Sequence, residues 1–156
     1  MPVIRLSTFI EAPREIVFDL TRSIDVHLQS TPGTSERAVA GITSGLIKVG
    51  EAVTWEARHF GFTQRLTVQI TKMNKPECFE DKMVSGAFRY MHNRHEFVEN
   101  EGGTMMKDVF DFSAPLGTLG RLAESLFLAG YMRRLLLARA AEIKRIAESG
   151  DWRSYL

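Results

Sequence analysis

The sequence predicts an α+β fold in which a curved antiparallel sheet of about seven strands packs on one long C-terminal helix. Two observations predict it. Six stretches with alternating apolar and polar residues follow one another between Glu36 and Ser113, and glycine or proline turns separate them. After Pro115 the apolar residues recur at steps of three and four instead of two, which is the period of a helix.

The segments that precede and form the sheet can be placed in order. Residues 3–10 alternate and end at Ala12-Pro13, which predicts a first strand. Pro13 suits the first turn of a short helix over 15–20, and a second short helix is predicted around 22–29, before the STPGTS loop. The remaining strands are predicted over residues 36–43, 51–60, 62–72, 78–85, 88–99 and 103–113.

The C-terminal segment is predicted to be a helix from Leu116 to about Ser149. At this length it would extend roughly 50 Å, enough to cross a small sheet. Its apolar stripe consists of Leu119, Leu122, Leu126, Ala129, Met132, Leu136, Ala140, Ile143 and Ala147. Much of the other surface is basic, which indicates either a solvated face or a docking face for acidic lipid or a partner: Arg121, Arg133, Arg134, Arg139, Lys144 and Arg145.

Composition restricts the class of protein. A chain of 156 residues fits one domain, 1–156, and a net charge of +1 favours neither nucleic acid nor an anionic membrane as a partner. The single cysteine, Cys78, excludes an intramolecular disulfide and fits a cytoplasmic location. The N-terminus does not resemble a secretion signal, and no stretch reaches the roughly 18 apolar residues of a membrane span. We expect no metal and no cofactor, and a monomer or weak homodimer.

The last two strands carry polar residues on the face that should be apolar. Residues two apart share a face, so Asn93 and His95 lie among Met91 and Phe97 on one strand. Thr104, Met106, Asp108, Phe110 and Phe112 share the facing strand. Burying such polar groups without partners costs about 1–3 kcal/mol each. His95 and Asp108 can pair across the strands, and a carboxylate partner would raise the histidine pKa. Such a pair can satisfy itself, orient a ligand, or act in acid–base catalysis.

Two further strands extend the predicted inner face. Val53, Trp55, Ala57 and His59 share one face, and Phe79, Asp81, Met83 and Ser85 share another, where Asp81 points either inward or to water. His27 is expected in the loop after the second short helix, exposed or near a cavity mouth. The predicted ligand-binding residues are Trp55, His59, Asp81, Met83, Met91, Asn93, His95, Met106, Asp108 and Phe110.

Several stretches together resemble the START/Bet v 1-like (SRPBCC) superfamily, which has the helix-grip fold. These are EAPREIVFDL, DVHLQSTPGTSERAVAG, TSGLIKVGEAVTWEARHFGFTQRLT, FEDKMVSGAF, and HEF followed by GGTMMKDVFDFSAPLGTLGRL. In this order and spacing they are similar to the bacterial proteins labelled "cell division inhibitor" or "polyketide cyclase-like". One departure is Asn93, which stands two residues before His95 where the resemblance leads us to expect a second histidine, so a mechanism with paired imidazoles is not supported.

The resemblance implies a pocket for a hydrophobic small molecule between sheet and helix. Three functions follow as hypotheses. The first is binding or transport of a lipid, quinone or polyketide-like molecule. The second is an aromatase/cyclase-like or dehydratase-like enzyme in which His95 and Asp108, with Asp81, place an acid and a base around the substrate. The third is a protein-interaction module. The apolar inner faces, and the lack of a nucleophile or metal motif, favour the first.

Overall fold

The structure, a computed structural model, describes residues 3–31, 33–114 and 127–156. These residues form seven strands: β1 (Val3–Ile10), β2 (Arg37–Gly41), β3 (Ala52–His59), β4 (Phe62–Asn74), β5 (Cys78–Gly86), β6 (Tyr90–Asn100) and β7 (Gly103–Ser113). They also form helices α1 (Arg14–Thr21), α2 (Ile24–Gln29) and α3 (Ala129–Ser149), and a 3-10 helix at Asp151–Ser154. All strand pairs are antiparallel, in the order β1-β7-β6-β5-β4-β3-β2, so the predicted fold class is confirmed.

The first residues of α2 and β6 differ from the predicted ones by about two residues, because local hydrogen bonds determine where these elements begin. The second helix begins at Ile24, because the side chain of Ser23 caps it by accepting from the Val26 amide at 3.2 Å. His27 therefore lies within α2 and not in the following loop, which corrects the prediction. Strand β6 begins at Tyr90, two residues later than predicted, where Ser113 supplies its first partner on β7.

The hairpin of β6 and β7 sets the register of the inner face. Asn100 pairs with Gly103, and counting along the two strands brings His95 opposite Asp108 and Asn93 opposite Phe110. Gly103 allows a close approach to the end of β1, since a Cβ there would lie 2.2 Å from the Ile10 carbonyl oxygen. The turn of the hairpin therefore packs closely on the end of β1, and β7 pairs with β1 from Thr104 to Asp111.

Helix α1 packs on one end of the sheet and fills the space there. Phe18 is fully buried, and its ring meets Phe79 and Phe97 edge-on at centroid distances of 5.4 and 5.3 Å. On β7, Met106 is also buried, and its sulfur accepts a hydrogen bond from Thr21 Oγ1 at the end of α1. This part of the protein is solid core.

Helix α3 buries the predicted face in its second half. Ala140, Ile143, Ile146 and Ala147 are buried, and Met132 and Leu136 pack against the core. The predicted residues Leu119, Leu122, Leu126 and Arg121 lie outside the described residues. The Lys144 ammonium donates to the Phe9 carbonyl at 2.6 Å and ties the helix to β1. Among the described helices, none is long and apolar enough to cross a membrane.

Candidate functional site

A cavity of about 500 Å³ lies between the sheet and α3. Its wall comes from the inner faces of β3 to β6, from α1 and α2, and from the first half of α3. Most of the lining side chains are apolar, including Val53, Trp55, Phe79, Met91 and Leu136. This volume is within the range that holds a drug-sized molecule.

Five of the ten predicted site residues line this cavity. These are Trp55, His59, Asp81, Met91 and Asn93. Asp81, for which an inward and a water-exposed position were both open, faces inward: its side chain is 13% exposed. All five lie on β3, β5 or β6, where the sheet and the first half of α3 leave space between them.

The other five predicted site residues do not belong to the cavity wall. Met83, His95, Met106, Asp108 and Phe110 are absent from the lining, which corrects the expectation that one pocket collects the whole inner face. Met106 packs under α1, and the Phe110 ring packs on Phe112 at 5.4 Å. Residues that share a face of a sheet thus need not share a cavity, because the elements packed on that face divide it.

His95 lies behind the cavity wall, between two carboxylates. Its Nδ1 is 2.6 Å from Asp108 Oδ1 and its Nε2 is 3.3 Å from Asp81 Oδ2. The predicted hydrogen bond between His95 and Asp108 is therefore present, and Asp81 is a second partner. Burial disfavours the charged imidazole, but the hydrogen bonds and charges of Asp108 and Asp81 outweigh it and raise the His95 pKa. His95 thus contacts the cavity wall through its hydrogen bond to Asp81 and through the Phe79 ring, whose centroid lies 4.5 Å from that of the imidazole.

A second polar cluster joins α2 to β3. The His27 ring stacks on Trp55 with centroids 3.9 Å apart, and its Nε2 contacts the Glu36 carboxylate. Burial and, after it, the positive charge of Arg139 lower the His27 pKa. His27, Glu36 and Trp55 all line the cavity. The sequence pattern did not indicate Glu36 and predicted His27 in a loop, since only the tertiary structure brings α2 against β3.

An aromatic cluster stands where the β3–β4 hairpin meets the start of α3. His59 Nδ1 is 2.5 Å from the Tyr131 hydroxyl oxygen. The ring centroid of Phe60 lies 4.6 Å from that of Tyr131 and 5.3 Å from that of Phe127. Phe60 and Phe127 are about half exposed and also line the cavity. Burial lowers the pKa of His59 and raises that of Tyr131. We call His59, Phe60, Phe127 and Tyr131 the aromatic mouth.

Arg139 is a site residue that the sequence analysis assigned to the solvated or docking face of the helix. It lines the cavity, and its guanidinium donates to the Thr21 carbonyl at 3.1 Å. Tyr131, Leu135 and Arg139 are spaced four residues apart, so they share one helix face, and all three line the cavity. That spacing is the signal that could have identified Tyr131 and Arg139.

Two buried polar atoms of cavity-lining residues have no hydrogen-bond partner in the described part of the chain. They are Asn93 Oδ1 and Arg139 Nε. Native proteins leave few buried polar groups unpaired, so each such atom calls for an explanation. No group of three or more potential metal ligands occurs among residues 3–31, 33–114 and 127–156.

Comparison with solved structures shows that the chain has the Bet v 1-like helix-grip fold. A protein from Thermus thermophilus, TTHA0849, superposes with a TM-score of 0.72 at 17% identity, over 91% of this chain and 97% of that one. A START superfamily protein from Mycobacterium smegmatis gives 0.68 at 12% identity, over 92% and 98%. Major latex-like protein 151 from Panax ginseng gives 0.67 at 16% identity, over 94% and 97%. No family model and no curated protein matches the sequence.

Proposed function

We propose that the protein binds and carries a hydrophobic small molecule in the cavity between the sheet and α3. The observation that carries the proposal is the cavity of about 500 Å³, whose wall is mostly apolar and contains a few polar groups. Such a wall favours an apolar ligand through the burial of its surface, and the polar groups fix the orientation. Lipid, quinone and polyketide-like molecules are the ligand classes of this kind.

The comparisons support the same function at the level of the superfamily. Members of the START/Bet v 1-like superfamily bind hydrophobic ligands, and this chain has their fold. The aromatic mouth offers a route for such a ligand, because two of its rings are half exposed and also line the cavity.

The first experiment is native mass spectrometry of the purified protein. A bound apolar molecule that is released on unfolding would support the proposal. The second experiment titrates the neutral fluorophore N-phenyl-1-naphthylamine, whose emission rises in an apolar site. We expect saturable binding to one site per chain.

A cavity-filling variant tests whether N-phenyl-1-naphthylamine binds in this cavity. Ala57 is buried on β3 and lines the cavity, so Ala57→Phe should reduce the affinity for N-phenyl-1-naphthylamine about tenfold or more by occupying the space. Ala138 on the exposed side of α3 serves as the matched control, and Ala138→Phe should bind like wild type. Equal binding by wild type and Ala57→Phe would contradict the proposal.

An acid–base enzyme is a second candidate, favoured by one observation. The Asp81 carboxylate lines the cavity and is backed by His95 and Asp108, so it could remove a proton from an enolisable ligand. The test is exchange of the α-hydrogens of 2-tetralone with deuterium oxide, followed by NMR. Exchange by the wild-type protein above the rate in buffer, lost in Asp81→Asn, would support an enzyme. Exchange at the rate in buffer would exclude this role of Asp81.

A further inference from the structure

The Asn93 side chain is a buried amide on the wall of the cavity. The residue is 5% exposed, and its Oδ1 has no hydrogen-bond partner among the described residues. An unpaired buried amide is costly, whereas a leucine of similar shape would not be. Turning the amide by 180° puts its NH₂ group in the place of this unpaired oxygen, where a ligand acceptor would pair with it. Asn93 therefore has the properties of a group that a ligand completes.

Asp81 stands directly beside Asn93. The two residues are register partners on β5 and β6, so their Cβ atoms are about 5 Å apart on the same face of the sheet. His95 holds one oxygen of the Asp81 carboxylate, Oδ2, at 3.3 Å, and no other described residue forms a hydrogen bond with Oδ1, so a ligand can use that oxygen. His95 is in turn held by Asp108, so the carboxylate has a fixed orientation. An acceptor and an amide donor thus lie side by side on the cavity wall.

A hydroxyl group fits this pair, because it donates one hydrogen bond and accepts another. We infer that the cavity selects an uncharged apolar molecule with a hydroxyl group that donates to Asp81 and accepts from the Asn93 amide. The inference rests on the proposed binding function and adds the chemical class of the ligand. An ether in the same place could accept from Asn93 but would leave Asp81 without a donor.

The charges around the pair argue against a carboxylate at this position. A ligand carboxylate would stand against the Asp81 carboxylate, and Glu36 lines the same cavity. Three arginines of the lining oppose this effect, namely Arg22, Arg65 and Arg139. Arg22 pairs with Asp19 and Arg65 with Glu56, whereas Arg139 has no carboxylate partner among the described residues and is the strongest opposing influence. Arg139 lies eight residues, or about 12 Å, along α3 from Tyr131 of the aromatic mouth. It is therefore close to His27 and distant from the aromatic mouth. A preference for acids would thus identify Arg139 as the recognising group.

Three matched competitors separate these possibilities. 2-Naphthol, 2-methoxynaphthalene and 2-naphthoate share one ring system and differ in a hydroxyl, an ether or a carboxylate. Each is titrated at neutral pH against protein loaded with N-phenyl-1-naphthylamine. We expect 2-naphthol to displace the fluorophore at about fivefold lower concentration than 2-methoxynaphthalene, the effect of one net hydrogen bond, and 2-naphthoate to be the weakest competitor.

Two variants on β6 assign the preference to Asn93. Asn93→Leu should reduce the advantage of 2-naphthol over 2-methoxynaphthalene to about twofold or less, with both competitors compared on the same variant so that a change in its affinity for N-phenyl-1-naphthylamine cancels. Met91→Leu changes a neighbouring side chain on the same wall without changing its polarity, and it should keep the full advantage. If Asn93→Leu does not fold, Asn93→Ala removes the same amide and provides the same comparison.

The outcomes distinguish this inference from the proposed function. Wild-type protein that does not bind N-phenyl-1-naphthylamine, or that binds it equally after Ala57→Phe, contradicts the proposed function itself. Binding with equal displacement by 2-naphthol and 2-methoxynaphthalene overturns only the hydroxyl preference. Strongest displacement by 2-naphthoate overturns it too, in favour of Arg139. An unchanged preference in Asn93→Leu would remove Asn93 from the site.

Discussion

Asn93 and His95 are two residues apart on one strand, yet the structure gives them different positions. Asn93 lines the cavity, with an amide oxygen that the described residues leave unpaired. His95 is 2% exposed and has a carboxylate on each ring nitrogen. The first is a group whose partner is missing, and the second is a group that is fully satisfied. Their substitutions should therefore have opposite effects on stability.

Asn93→Leu should leave the free energy of unfolding unchanged or raise it, because an apolar side chain of similar shape replaces an unpaired buried amide. Urea denaturation followed by far-ultraviolet circular dichroism measures this. A loss of about 2 kcal/mol or more would show that the amide makes structural hydrogen bonds in the native protein.

His95→Ala should destabilise the protein by about 3 kcal/mol, because it leaves two largely buried carboxylates, each with a side chain 13% exposed, without their shared partner. Water from the cavity does not readily replace the imidazole, since His95 lies outside the cavity. The same urea denaturation measures the loss. A variant as stable as wild type would show that the interaction of His95 with Asp81 and Asp108 contributes little.

The stabilisation from His95 should depend on pH in a defined direction. The folded protein raises the His95 pKa above its ordinary value of 6.5, so between the two values the folded state binds more protons than the unfolded state. Stability from this group is complete below 6.5 and is lost as pH rises through the folded pKa. The stability difference between wild type and His95→Ala should shrink on the alkaline side, and a growing difference would contradict the raised pKa.

Helix α3 has two functions along its length. Its first half lines the cavity with Tyr131, Leu135 and Arg139, while its second half closes the core with Ile143 and Ile146. The apolar stripe of the sequence does not distinguish these halves, because a cavity and a core both require apolar side chains.

Ile143→Asp should cost roughly 3–5 kcal/mol, because Ile143 is 1% exposed and the new carboxylate would have no partner there. Leu137 on the same helix is 46% exposed, so Leu137→Asp is the matched control and should change stability by about 0.5 kcal/mol or less. Denaturant midpoints of the two variants test the orientation of α3. Equal midpoints would mean that the buried face is wrongly assigned.

The complete fold joins a solid end under α1 to an open end under the first half of α3. The aromatic mouth belongs to the open end, where the β3–β4 hairpin meets α3 through the hydrogen bond between His59 and Tyr131. On the proposed route of entry, a ligand has to separate these two elements. This hydrogen bond should therefore affect the rates of binding more than the affinity.

Tyr131→Phe keeps the ring of the mouth and removes its hydroxyl. We expect the association and dissociation rates of N-phenyl-1-naphthylamine both to rise, by about fivefold for one net hydrogen bond, with little change in Kd. Stopped-flow fluorescence measures both rates. Tyr90→Phe, at the start of β6 and away from the cavity lining, is the control and should leave them unchanged. An altered Kd with unaltered rates would place the entrance elsewhere.

The local pattern of the sequence was sufficient for the strands, for an antiparallel sheet and for the pairing of His95 with Asp108. Side-chain alternation along a strand and register in a short hairpin depend on neighbouring residues, so counting from the Gly102-Gly103 turn brings these two side chains together. Side-chain alternation also put Trp55, Met91 and Asn93 on the inner face, where the structure has them, but it left an inward and a water-exposed position open for Asp81.

Only the tertiary structure decided which part of that face encloses a cavity. Met106 and Phe110 have the same alternation as Met91 and Asn93, but α1 and the neighbouring rings fill the space around them. Likewise, His27, Glu36, Tyr131 and Arg139 reach the cavity through contacts between elements that are distant in the chain. Such contacts depend on how the helices pack over the sheet, and the period of a single strand or helix contains no information about that packing.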